Sequence, residues 1–215
     1  MALKRFFYVT FLFATTYTGC NGSHTSNNNQ SSKHNEKIMA LNTNENAASI
    51  MNEDDFWKLI DKSREPAKNN YQKQIGSLKE ILLTLHANEI ERFNNRFISL
   101  LDTSYNWNLW GAAYVINGGC SEDCFDYFRH YLIAHGKEKF YNTLNDPESC
   151  VSWIKSEEED DWEGLQYCAP EAYEEKTGKE IPISYQPAFQ LKGTPFDEET
   201  VFDQYPKLAK KFMDN

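Results

Sequence analysis

Thiol, imidazole, guanidinium and carboxylate groups crowd into one short stretch, "INGGCSEDCFDYFRHYLIAHG", residues 116–136. Cys120 precedes an expected helix start. Backbone N–H groups at a helix N-terminus lower a thiol pKa and can hold an oxyanion. A nucleophilic role also needs a base, and His86, His130 and His135 are the histidines to consider. Glu122 and Asp123 oppose it, because neighbouring acids raise a thiol pKa. Zinc is poorly served: C-x3-C lacks a second close pair, and His130 and His135, five apart, miss one helical face. No metal or cofactor is expected. There is no G-x-S-x-G elbow, and "NGGCSED" lacks the lysine of a phosphate loop.

The same residues also make structural sense. Ser121 is a good N-cap, and Glu122 and Asp123 complement the helix dipole. Phe125, Phe128 and Leu132 form a buried stripe, and Arg129 falls on or beside it. A charge there must find partners. Asp126, Asp123 or an acid of another helix can serve; alternatively Arg129 recognises a ligand carboxylate at the floor of a pocket. Trp107, Trp110 and Tyr114 recur at helical spacing, as core or as a ligand box. The candidate binding cluster is therefore Trp107, Trp110, Asn117, Cys120, Ser121, Asp123 and Arg129, where the tryptophan helix meets "GGCSED".

Two further cysteines, Cys150 and Cys168, flank the acidic run "SEEEDDWEG". They are the candidate disulfide; closing a loop of that size stabilises by about 3 kcal/mol. A Cys120–Cys124 bridge is disfavoured by the awkward path between a residue before a helix and one in its first turn. Free buried thiols are the alternative.

These groups must be positioned by helices. "NEDDFWKLIDKSRE" places Phe56, Leu59 and Ile60 on one face, with Asn52 as cap and Pro66 as stop. "YQKQIGSLKEILLTLH" and "ANEIERFNNRFISLLDTSY" repeat the pattern, the latter with Asn88 and Glu91 at capping-box spacing. The tryptophan helix ends at Gly118-Gly119, and its Gly111, Ala112 and Ala113 allow a neighbour to approach closely. Helices follow over about 122–135, 137–144 and after Asp146-Pro147. Another ends at Gly178 with a kink or break at Pro170; 181–196 is irregular; a last helix covers about 197–213. Strand signals are almost absent. The expected class is all-α, a single multi-helix domain over 51–215.

The N-terminus reads as an address. Lys4 and Arg5 precede nine mostly apolar residues, Phe6 to Ala14, too few to span a bilayer. The ending "YTGC" resembles the lipobox of bacterial lipoproteins, which implies signal peptide 1–19 and an acylated Cys20. Residues 20–50 are polar and fit a tether. The expected location is the bacterial cell envelope, with the membrane met through the lipid anchor only.

Four stretches, "FWKLID", "WNLWGAAYVINGGCSEDCFDYFRHYLIAHG", "EAYEEKTGKEIP" and "YPKLAKKF", together resemble a bacterial family catalogued as domain of unknown function 4240, over about residues 53–213. The resemblance implies no activity. Cys120 belongs to its "GGCS" motif, whereas Cys124, Cys150 and Cys168 look particular to this chain. The formal charge is −10, or −12 without residues 1–20, which carry Lys4 and Arg5 and no acids. Such a surface repels nucleic-acid phosphates. The expected role is a non-catalytic binding or interaction module for a protein or small ligand. Two alternatives stand beside it. One is an acidic inhibitor of a basic protein, acting through Glu157 to Asp161; the other is an enzyme with a cleft around Cys120 and Arg129.

Overall fold

The computed structural model describes residues 49–68, 70–154 and 162–213. The signal-like segment, Cys20, most of the tether and the acids Glu157 to Asp161 lie outside the described residues. Docked backbone begins at Ser49, whose carbonyl accepts from Asn95 Nδ2 at 2.9 Å. Met51 follows, exchanging bonds with the Arg92 carbonyl and Arg96 Nε, each at 2.9 Å.

Helix α1 spans Glu53–Ala67. Asn52 caps it by accepting from the Asp54 and Asp55 amides. It runs one residue past Pro66 and ends in left-handed Lys68. Helices α2 (Tyr71–Leu83) and α3 (Ala87–Ser104) bury the apolar stripes their periodicity predicts: Leu78 and Leu82 on one, and Ile90, Phe93, Phe97 and Leu100 on the other. The α3 start differs from expectation. Glu89, not Glu91, folds back to accept from the His86 amide at 2.9 Å, so the reciprocal cap lies two residues earlier.

Helix α4 (Trp107–Asn117) stops at Gly118, left-handed at φ 64°. Helix α5 (Glu122–Ala134) follows the "GGCS" turn, and α6 (Lys137–Asn145) leads into a 3-10 turn, Pro147–Ser152. A second 3-10 turn, Trp162–Tyr167, passes into α7 (Cys168–Thr177). Pro170 sits in the first turn of α7, where its missing N–H costs nothing. Residues 181–196 are irregular, touching α4 through a lone parallel bridge between Asn106 and Lys192. The expected last helix is two pieces, α8 (Val201–Gln204) and α9 (Pro206–Phe212). Pro206 explains the break, since a proline pushes its predecessor out of helical geometry and Tyr205 has φ −127°, ψ 62°.

The described residues belong to one compact all-α unit. No strand occurs among them, and none of their helices is long and apolar enough to cross a membrane. Helix α5 is the axis, with every residue from Phe128 to Ala134 buried. Its C-terminal carbonyls are met by distant donors. Gln74 Nε2 donates to Ala134 O at 2.8 Å, and Arg64 donates to His135 O. Gly136 then turns the chain at φ 92°, where a Cβ would lie 2.6 Å from Arg64 Nη1 and 2.9 Å from Asp61 Oδ1.

Two glycine substitutions should therefore move stability in opposite directions. Gly136→Ala meets both strain and clash and should cost more than about 1 kcal/mol. Gly76→Ala, mid-helix on α2 with nothing within 4 Å of the added methyl, should stabilise by about 0.5–1 kcal/mol. Urea-unfolding midpoints check both.

Candidate functional site

The "GGCS" turn is shaped by its backbone. Gly118 and Gly119 take φ 64° and 134°, which reverses the chain and brings Cys120 back over the first turn of α5. Cys120 and Cys124 are bridged there, with Cα atoms 5.3 Å apart, inside the ordinary span of about 4.4–6.8 Å. This corrects the expected pairing. The two positive-φ glycines lead Cys120 back to the helix start and so supply the path that the spacing alone made look awkward. Cys150 and Cys168 are separate buried thiols. The first donates to Pro147 O at 2.9 Å; the second lies 3.8 Å from Ile75 O and 3.7 Å from Gly164 O. Each is anchored to its own carbonyls. Burial pushes both thiols up to about 12.

Trp107, Trp110, Cys120 and Arg129 do come together, as a stack rather than a hollow. Trp110 donates its indole N–H to Cys120 O at 2.9 Å. Its ring lies parallel to Trp107 and to Phe125, each centroid 5.1 Å away. Beyond Phe125 sits the Arg129 guanidinium, 4.9 Å from that ring and 4.8 Å from Tyr105. Arg129 is only 4% exposed. It pairs with Asp126, the i−3 acid, and donates to the Leu101 carbonyl near the end of α3 at 2.8 Å. Flanking π faces and two hydrogen-bonding partners offset the cost of burying this charge.

The rest of the predicted cluster is peripheral. Ser121 accepts from the Cys124 amide at 3.2 Å, as an N-cap should. Asp123 stands exposed in the first turn of α5, and Asn117 bonds back to Ala113 O at 2.9 Å. The histidines are placed by aromatic packing. His130 is buried beside Phe97 at 5.4 Å; His135 packs on Tyr131 at 4.1 Å and places Nδ1 2.9 Å from that residue's carbonyl. With Cys120 bridged, a thiolate nucleophile at this position requires prior reduction. Among the described residues, no group of three or more His, Cys, Asp or Glu side chains is placed to hold a metal ion.

A cleft of about 400 Å³ opens at the opposite end of α4. Asn106, Trp107 and Asn108 form one wall. Lys192, Gly193, Thr194 and Phe196 form a second, and Gln204 and Tyr205 close it. Its frame is fixed. Asn106 caps α4 by accepting from the Leu109 amide at 2.8 Å, and the Trp107 amide donates to Lys192 O at 2.9 Å. Tyr205 lies over Gly111, where an added Cβ would stand 3.0 Å from its ring and hydroxyl, and donates to Asn108 at 2.7 Å. The small residue at 111 thus admits Tyr205, directly before α9, and α9 packs closely against α4 as the small residues predict. Of the cleft residues, sequence patterning pointed only to Trp107. The others come from the start of α4 (Asn106 and Asn108), from a loop and from the unexpected break at Pro206.

The architecture defines a class: an all-helical domain wound about a buried helix, disulfide-clipped at its N-terminus, with a polar–aromatic cleft beside it. A family model described as protein of unknown function (DUF4240) matches residues 51–175, and the chain belongs to that family. No curated protein and no solved structure matches it.

The two buried thiols generate a pH dependence. Each stays protonated in the folded state up to about 12 but ionises near its ordinary 9.0 once unfolded. Between those values the unfolded chain binds fewer protons, so stability falls as pH rises. The slope should be about 1.4 kcal/mol per pH unit for each thiol. Urea titrations from pH 8 upward check this, and replacing either cysteine with Ala should remove its share of the slope.

Proposed function

We propose that this protein is a non-catalytic binding module, exported and held on a bacterial envelope membrane by lipid on Cys20. The cleft beside Trp107 carries the binding part of the proposal. Its volume of about 400 Å³ falls within the range of small-ligand sites, about 300–1,000 Å³, and its walls are pre-organised by cap and bridge hydrogen bonds. The groups that first suggested reactivity are engaged elsewhere: Cys120 in a disulfide, and Arg129 with Asp126 and a carbonyl. The "YTGC" ending and the polar stretch after it support the anchor.

Two tests address the two parts. Cys20→Ala should move the protein from the membrane fraction to the soluble fraction; unchanged fractionation sinks the anchor. A small-molecule fragment set should yield ligands that raise the thermal midpoint of the parent. The same ligands should fail to do so in Thr194→Trp, which fills the cleft from an exposed position. Ligands that stabilise both proteins equally contradict the cleft.

A further inference from the structure

We infer that the cleft takes an uncharged polyhydroxylated ligand, a neutral saccharide unit. This deepens the binding role proposed above and rests on it. Charge is the first observation. The chain carries 32 acids against 22 lysines and arginines, yet among the described residues no carboxylate lines the cleft. A cation therefore finds no counter-charge there. Among the described residues the one charged lining residue is Lys192, and its ammonium is already held by Asp102, at 2.9 Å from the carbonyl and 3.3 Å from Oδ2. An anion would have to compete with that carboxylate.

The unengaged hydrogen-bonding groups are the second observation. Trp107 Nε1, the Thr194 hydroxyl and the Gln204 side-chain amide make no hydrogen bond within the described residues. Asn108 Oδ1 accepts from Tyr205, which leaves its Nδ2 protons for another acceptor. The set both donates and accepts, as hydroxyl groups do, and none of it is ionised. Aromatic surface is the third observation. Trp107 and Phe196 line the cleft with ring centroids 5.7 Å apart and planes 80° to each other. Trp107 is braced by its parallel partner Trp110. A pyranose presents an apolar carbon–hydrogen face and a hydroxylated edge, and this pairing of ring carbon with uncharged donors and acceptors suits both.

The test uses the full chain bearing Cys20→Ala, labelled with nitrogen-15, and follows the Trp107 indole N–H and the Gly193 amide by NMR. The probes are maltotriose, cellotriose and tri-N-acetylchitotriose, with trigalacturonate, chitosan trimer and a capped uncharged tetrapeptide as comparisons. At least one neutral trisaccharide should shift the Trp107 and Gly193 signals, with an affinity unchanged by added salt. Gln204→Ala and Thr194→Ala, both at exposed positions, should each weaken it roughly 2–10-fold without altering the rest of the spectrum. Shifts produced only by the charged trimers or the tetrapeptide overturn the saccharide assignment while leaving the cleft a binding site. No shift with any probe overturns both.

Discussion

A helix with no wet face cannot leave a polar group to solvent, and α5 is such a helix along its second half. Its terminal carbonyls, the carbonyl at its entrance and its arginine all need partners from the protein, because an unmet buried group costs about 1–3 kcal/mol. Each partner fixes another element. Gln74 and Arg64 bind the C-terminal end and so set where α2 and α1 lie. Leu101 O receives Arg129 and ties down the end of α3. Trp110 grips Cys120 O and sets α4 against the entrance to α5. The order of the bundle follows from satisfying one buried helix.

That demand explains the fate of the reactive-looking cluster. Buried charge, sulfur and imidazole group together here because the axis of the fold carries them, and each is absorbed by packing or bonding. The cleft proposed for binding lies instead at the rim, where α4 begins and the C-terminal segment crosses it. Part of the cleft wall, from Lys192 to Tyr205, lies beyond the 51–175 span of the family match, while Asn106, Trp107 and Asn108 lie within it. A shared helical frame is thereby joined to a wall built from residues outside the matched span. The Trp107–Trp110–Phe125–Arg129 stack runs from that rim to the axis, so the cleft is braced by the core it borders.

Local signals made most of the helices legible. Asn52, Ser121 and Asp146 cap as their types predict, and Gly118, Gly136 and Gly178 turn the chain where the periodic pattern stops. The Asp126–Arg129 pair was within reach because its spacing is i, i+3. Long-range satisfaction was not legible. Nothing local to Arg64 or Gln74 says that each will close a helix some sixty to seventy residues away. The disulfide was misassigned because its path depends on the positive φ of Gly118 and Gly119, a long-reaching turn geometry that spacing alone does not give. The cleft stayed hidden because its two sides are about ninety residues apart and meet through Lys192, Phe196 and Tyr205.

Native-state hydrogen exchange on the Arg129–Ala134 amides tests the dependence on α5 most directly. If this helix is the axis that the others are arranged to satisfy, these amides exchange only through global unfolding, with an opening free energy equal to that from denaturant titration. Exchange through local openings well below that value, with α1 to α4 still protected, would contradict it.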